Sequence, residues 1–130
     1  MSDSALDNFY QRYIEVLNRH EFDRMVDFVE DHVTLNSMPS TRDEIIAVLS
    51  GITDAVPDFQ WTTQEVVIDG NRLAARLINT GTPIKEWLGA KPNGNSFRIV
   101  EFAVYEVREG RFVHLSSVHD AESLHRQLTG

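Results

Sequence analysis

The hydrophobic period of this chain changes once, near Pro57, and that change limits the fold more than any other feature of the sequence. Before it, apolar residues recur at helical spacing. Leu6, Phe9, Tyr10, Tyr13, Val16 and Leu17 line one face of a stretch near residues 4–19, with Ser4 or Asp3 placed to cap it. Phe22, Met25, Val26 and Val29 do the same for a shorter second helix, and a short strand over Val33–Asn36 follows until Pro39 breaks it. Thr41 with Glu44 three residues on has the form of a capping box ahead of Ile45, Ile46, Val48 and Leu49, which predicts a third helix stopping near Gly51. Beyond Pro57, β-branched and aromatic residues take over. Phe59–Asp69 and Arg72–Thr80 read as strands joined through Asp69-Gly70-Asn71, and Phe97–Arg108 and Arg111–Val118 as a pair joined at Glu109-Gly110. A loop over residues 81–95 separates the two pairs, and Ala121–Leu128 closes the chain as a short helix. Helices first and antiparallel strands second is the order of an α+β domain, in which a strongly bent sheet cups helices on one face.

At 130 residues the chain is long enough for one core and too short for two, so a single domain over residues 1–130 is expected. The formal net charge is −8 and the basic residues are scattered singly. Such a surface repels phosphate backbones and anionic lipid, so neither nucleic acid nor a membrane is an expected partner. The N-terminal residues form neither a basic nor an apolar signal segment, which makes the cytoplasm the expected location. Cysteine is absent, which removes disulfides and thiolate nucleophiles. His20-Glu21 is followed by Arg24 where a zinc-binding helix has its second histidine, and Gly81, Gly89 and Gly94 are too widely spaced to cradle a phosphate. Neither a metal nor a cofactor is expected. Ser116, Ser117, His119 and Asp120 have the residue types of a nucleophilic triad, but adjacent strand positions point to opposite faces.

A two-residue turn at Glu109-Gly110 pairs Arg108 with Arg111 and sorts the last two strands by parity. One face then carries Ile99, Glu101, Ala103, Tyr105, Val107, Phe112, His114, Ser116, Val118 and Asp120. The other carries Val100, Phe102, Val104, Glu106, Val113, Leu115, Ser117 and His119. Both are largely apolar and the helices can cover only one, so a homodimer through the outer sheet face is expected. The side with Glu101, Tyr105, His114, Ser116 and Asp120 set among aliphatics is expected to line a pocket for a hydrophobic small molecule.

The stretch Gly81-Thr82-Pro83-Ile84-Lys85-Glu86-Trp87-Leu88-Gly89-Ala90-Lys91-Pro92-Asn93-Gly94 resembles, without gaps, a loop of the SnoaL-like polyketide cyclases in the nuclear transport factor 2-like superfamily. In that loop Gly-Thr-His leads to an aromatic residue, a glycine and Pro-Thr-Gly. Gly110-Arg111-Phe112-Val113 resembles the family's Gly-Lys-Ile-Val segment, and Asp120 through Gln127-Leu128 is similar to its ending. The resemblance implies a cone-shaped α+β barrel, an aldol ring closure without cofactor or metal, and an acid/base aspartate at Asp120. It also marks departures: Pro83 stands where the family has a loop histidine, Ser116 where it has a tryptophan, and His114 where it has a glutamate.

Asp120, at the end of an inward strand among Val118 and Ile99, is a candidate base whose pKa burial would raise. An aspartate between a strand and a helix is equally a ready N-cap. Glu101, diagonal to Asp120 in the expected register, is a candidate partner carboxylate, and a slip by one residue would exchange the faces. His114 and Tyr105, expected opposite each other, could orient a carbonyl or donate to an enolate oxygen, or form a satisfied buried pair. Tyr13, Trp61, Trp87, Ser116 and Asn36 complete the candidate substrate-binding set, with core packing as the alternative for the aromatics. Two functions fit: cofactor-free acid/base chemistry on a hydrophobic carbonyl compound, or a non-catalytic module that binds a small molecule or a partner protein.

Overall fold

A computed structural model describes residues 1–129. The first helix, α1, spans Asp3–Asn18 and buries the expected stripe, but its cap is Ser2, whose hydroxyl accepts from the Ala5 N–H at 3.1 Å. Residues Phe22–Asp27 form a 3-10 helix instead of an α-helix, tight enough to bury Phe22 and Met25 before strand β1 begins. That strand, Val29–Leu35, turns at Asn36 and Ser37, both at positive φ, into β2, Met38–Thr41. Pro39, expected to break the run, lies in β2 opposite Thr34. It is tolerated because β2 is a sheet edge, where a missing N–H need not cost a ladder bond.

Helix α2, Arg42–Ala55, starts as expected, with Thr41 Oγ1 accepting from the Glu44 N–H at 3.2 Å. It runs on past Gly51 because Ile52 and Ala55 continue the buried stripe of Ile45 and Leu49. Burying two more apolar side chains outweighs the roughly 1 kcal/mol that an interior glycine costs a helix. Strands β3 (Gln60–Asp69), β4 (Arg72–Gly81), β5 (Phe97–Arg108) and β6 (Arg111–His119) follow, and α3 (Ala121–Leu128) ends the chain. No helix among the described residues is long and apolar enough to cross a membrane.

The sheet order is β2-β1-β6-β5-β4-β3, antiparallel throughout except where β1 runs parallel to β6. The sheet is curved but not closed, since its edges β2 and β3 do not pair. Asn18, the last residue of α1, clips that helix to β3 twice: its Nδ2 donates to the Trp61 carbonyl at 2.9 Å, and its Oδ1 accepts from the Trp61 N–H at 2.7 Å. Between helix and sheet, Phe9, Tyr13, Phe28, Tyr105 and Phe112 pack ring against ring with centroids 4.8 to 5.9 Å apart.

The β5–β6 hairpin turns as expected, with Arg108 opposite Arg111 and Val107 opposite Phe112. Val113 is then left unpaired, and Glu106 faces His114. This bulge reverses the parity of β6 from that point on. The inward pairs are Tyr105 with Leu115, Ala103 with Ser117 and Glu101 with His119; the outward pairs are Glu106 with His114, Val104 with Ser116 and Phe102 with Val118. The expectation that His114, Ser116, Val118 and Asp120 share a face with Glu101 is therefore corrected. The bulge lets Phe112 and Leu115, three residues apart, both enter the core. The β1 partner strand shifts register in the same stretch, between Val29 opposite Phe112 and Thr34 opposite His114.

Candidate active site

A hollow of about 80 Å³ lies between the inner sheet face and the helices, bordered by Tyr13 of α1, Leu49 of α2, Trp61 of β3, Tyr105 of β5 and Leu115 of β6. Its polar end is made by Glu101 and His119. Glu101 is only 5% exposed. Asn79, wholly buried on β4, donates from Nδ2 to Glu101 Oε1 at 2.9 Å. The Asn79 Oδ1 is 2.7 Å from His119 Nδ1. This geometry assigns the protons: the amide nitrogen faces the carboxyl group, so the amide oxygen accepts from His119, whose Nδ1 is protonated and whose Nε2 is free. Among the described residues no hydrogen bond reaches Glu101 Oε2.

Burial governs the ionisation of all these groups. It pushes the Glu101 carboxyl up to about 7, against the smaller lowering effect of the Asn79 hydrogen bond. It pushes His119 down to about 4. Although Nδ1 of His119 is 3.7 Å from Glu101 Oε1, the two are thus not an ion pair near neutrality. The phenols of Tyr13 and Tyr105 are raised by burial and, less, by the nearby carboxyl and phenol groups, so both stay protonated and able to donate. Tyr10, whose hydroxyl is 3.0 Å from Thr63 Oγ1, is raised to about 12.

The residues singled out in the sequence divide between this hollow and other places. Glu101, Tyr105, Tyr13 and Trp61 border it, and Ser116 touches its edge from a strand position that faces outward. Trp87 and Asn36 border a neighbouring trough; Trp87 stands edge-on to His119 at 5.3 Å, and Asn36 Oδ1 accepts from the Ser117 N–H at 2.9 Å. Asp120 lies outside. It is exposed and caps α3, its Oδ1 accepting from the Ser123 N–H at 3.0 Å while its own N–H donates to the Val100 carbonyl at 2.9 Å. His114, turned away by the bulge, hydrogen-bonds the Thr34 hydroxyl and stands 3.5 Å from Glu106, which Arg108 also approaches at 2.8 Å. His114 faces Glu106 and not Tyr105.

Sequence reasoning missed Asn79 and His119. Asn79 carried a readable signal, a lone amide at the next alternate position after Leu73, Ala75 and Leu77 on the apolar face of the strand. His119 had none without the bulge, because unbroken alternation puts it on the outer face.

The family model for SnoaL-like polyketide cyclases matches residues 7–128. The chain belongs to the SnoaL-like polyketide cyclase family. Its fold is that of a SnoaL-like polyketide cyclase of Agrobacterium tumefaciens, to which this family member is 29% identical, with a TM-score of 0.89 over 95% of this chain and 97% of that one. TsrD of Streptomyces laurentii (TM-score 0.88, 17% identity, 99% and 98% covered) and IdmH of Streptomyces antibioticus (0.86, 20%, 96% and 99%) share the SnoaL-like fold. No curated protein matches the sequence. Pro83 is buried and does not border the hollow of this SnoaL-like chain.

Proposed function

We propose that this SnoaL-like protein is a cofactor-independent acid/base enzyme acting on an apolar, carbonyl-containing small molecule, with Glu101 as the base. One observation carries the reading: a buried carboxyl group at the edge of an apolar hollow, with one oxygen held by Asn79 and the other without a hydrogen-bond partner among the described residues. Desolvation tunes that carboxyl to about 7, the range in which a base is both ionised and strong enough to take a proton from carbon. The proton passes from the carbon next to the carbonyl to Glu101, and charge moves to the carbonyl oxygen. Tyr13 and Tyr105, which border the hollow and keep their phenol protons, supply the donors to that oxygen in this reading. In an aldol closure the enolate carbon then bonds to a second carbonyl carbon, whose π pair becomes an alkoxide, and Glu101 returns its proton there.

The test is hydrogen isotope exchange of 2-butanone in D2O, followed by NMR. Exchange above buffer background is expected, with a loss of at least about 100-fold in Glu101→Gln. A folded Glu101→Gln protein that exchanges at the parental rate would refute the assignment. A second reading, a non-catalytic binding module, is favoured by Pro83 at the loop-histidine position. It predicts saturable binding of the ketone with no exchange above background.

We also propose that two copies pair through the outer sheet face, where Phe102 and Val118, opposite each other in the ladder, are 59% and 70% exposed beside Val104. Light scattering is expected to give twice the 14.8 kDa of one chain, and Phe102→Glu to give one. A monomeric parent would overturn this.

A further inference from the structure

The inner hollow holds little. A cavity of roughly 150 Å³ accommodates benzene, so about 80 Å³ admits only the reacting end of a substrate. Beside it lies a trough of about 370 Å³, bordered by Asn36, Trp87 and Leu88. Five residues, Leu35, Val48, Ile52, Ser117 and His119, belong to the walls of both spaces.

Two of the trough's apolar side chains are unexplained by the core: Val48 is 51% exposed on α2, and Leu88 is 41% exposed on the loop before β5. The loop holds Leu88 rigidly. Trp87 and Ala90 exchange both backbone hydrogen bonds, at 3.0 and 2.9 Å, around Leu88 and Gly89, whose φ values are 50° and 79°. His125 Nε2 donates to the Leu88 carbonyl at 2.7 Å. A leucine in the left-handed region is strained and persists only where its surroundings enforce it.

We infer that the hollow and the trough are two parts of one site, joined at the five shared residues, and that the ligand is an elongated molecule with a small carbonyl head and an apolar tail. The inference rests on the proposed role of Glu101 for the head; the tail subsite is argued from shape and exposure. The head reaches Glu101 past His119, and the tail lies across Val48, Ile52 and Leu88. A rigid ledge suits an occupant without shape of its own, because the protein then loses no freedom when an alkyl chain settles on it.

The dissociation constants of 2-butanone, 2-pentanone, 2-heptanone and 2-nonanone, measured by NMR shifts of the Trp87 indole and the His119 ring, test this. Affinity is expected to rise about threefold to fourfold per added methylene. Leu88→Asp, at an exposed position that borders the trough and not the hollow, is expected to abolish that rise while leaving 2-butanone within about twofold of the parent. A chain-length series that is flat in the parent overturns the tail subsite, as does a parental rise in Leu88→Asp. Glu101→Gln separates the two proposals: it is expected to keep the chain-length dependence and lose isotope exchange. Exchange that depends on Glu101 with a flat series would leave the base assignment standing and remove the trough.

Discussion

Glu101 and His119 stand opposite each other across β5 and β6, 3.7 Å apart at their nearest atoms, and each bonds to Asn79 instead of to the other. With the carboxyl pushed up to about 7 and the imidazole down to about 4, both are uncharged through the mildly acid range. A carboxylate arises there only near neutrality and, among the described residues, meets no Lys or Arg. It therefore keeps the basicity that a salt bridge would have taken away.

The isotope-exchange rate should follow that ionisation. It is expected to rise about tenfold per pH unit below roughly 7 and to level off above, as befits a single base of that strength. A rate already level from pH 5 upward would exclude Glu101 as the titrating group.

Stability should record the same two groups with opposite signs. Folded Glu101 holds its proton more tightly than at its ordinary value of 4.5, so it contributes stability that is full below 4.5 and lost as pH rises through 7. Folded His119 holds its proton less tightly than at 6.5, so its contribution is full above 6.5 and lost as pH falls through 4. Each is worth on the order of 3 kcal/mol, and between 4.5 and 6.5 the two slopes oppose each other. Glu101→Gln is expected to match the parent near pH 4 and to exceed it by about 2 to 3 kcal/mol at pH 8. Urea unfolding at fixed pH values measures this; parallel profiles for the two proteins would contradict it.

In the proposed mechanism Asn79 is a positioning residue. Replacing it with leucine removes the one hydrogen bond that lowers the Glu101 pKa, so the acid limb of the rate profile should move above 7. Leaving two buried polar groups without their partner should cost about 1 to 3 kcal/mol of stability as well. A loss of stability with an unmoved limb would reduce Asn79 to a packing role.

Asp120→Ala should cost about 1 kcal/mol, the usual worth of an N-cap, as α3 loses the Ser123 bond. Exchange of 2-butanone should be unchanged, since the side chain lies outside the hollow. A 100-fold loss of exchange without loss of fold would return this aspartate to the chemistry.

Helices α1, α2 and α3 and the two long hairpins were legible in the sequence because each rests on local signals: the Leu6-to-Leu17 stripe, the Thr41–Glu44 cap, the turn at Glu109-Gly110. What was not legible depends on partners distant in the chain. The β1–β2 hairpin needs a sheet edge before Pro39 can join it, and α2 passes Gly51 because Ile52 and Ala55 find a core to enter. Glu101 could be placed from its own strand alone. Its neighbours could not, because Asn79 reaches it from β4 and His119 is brought round by Val113.

That unpaired valine bears on how related chains should be compared. A relative lacking the extra residue would carry the side chain equivalent to His119 one position away in number, yet at the same point in space. Matching the strands letter by letter would then set an outward-facing side chain of one protein against an inward-facing one of the other. Superposed backbones, and not aligned letters, identify equivalent residues past that kink.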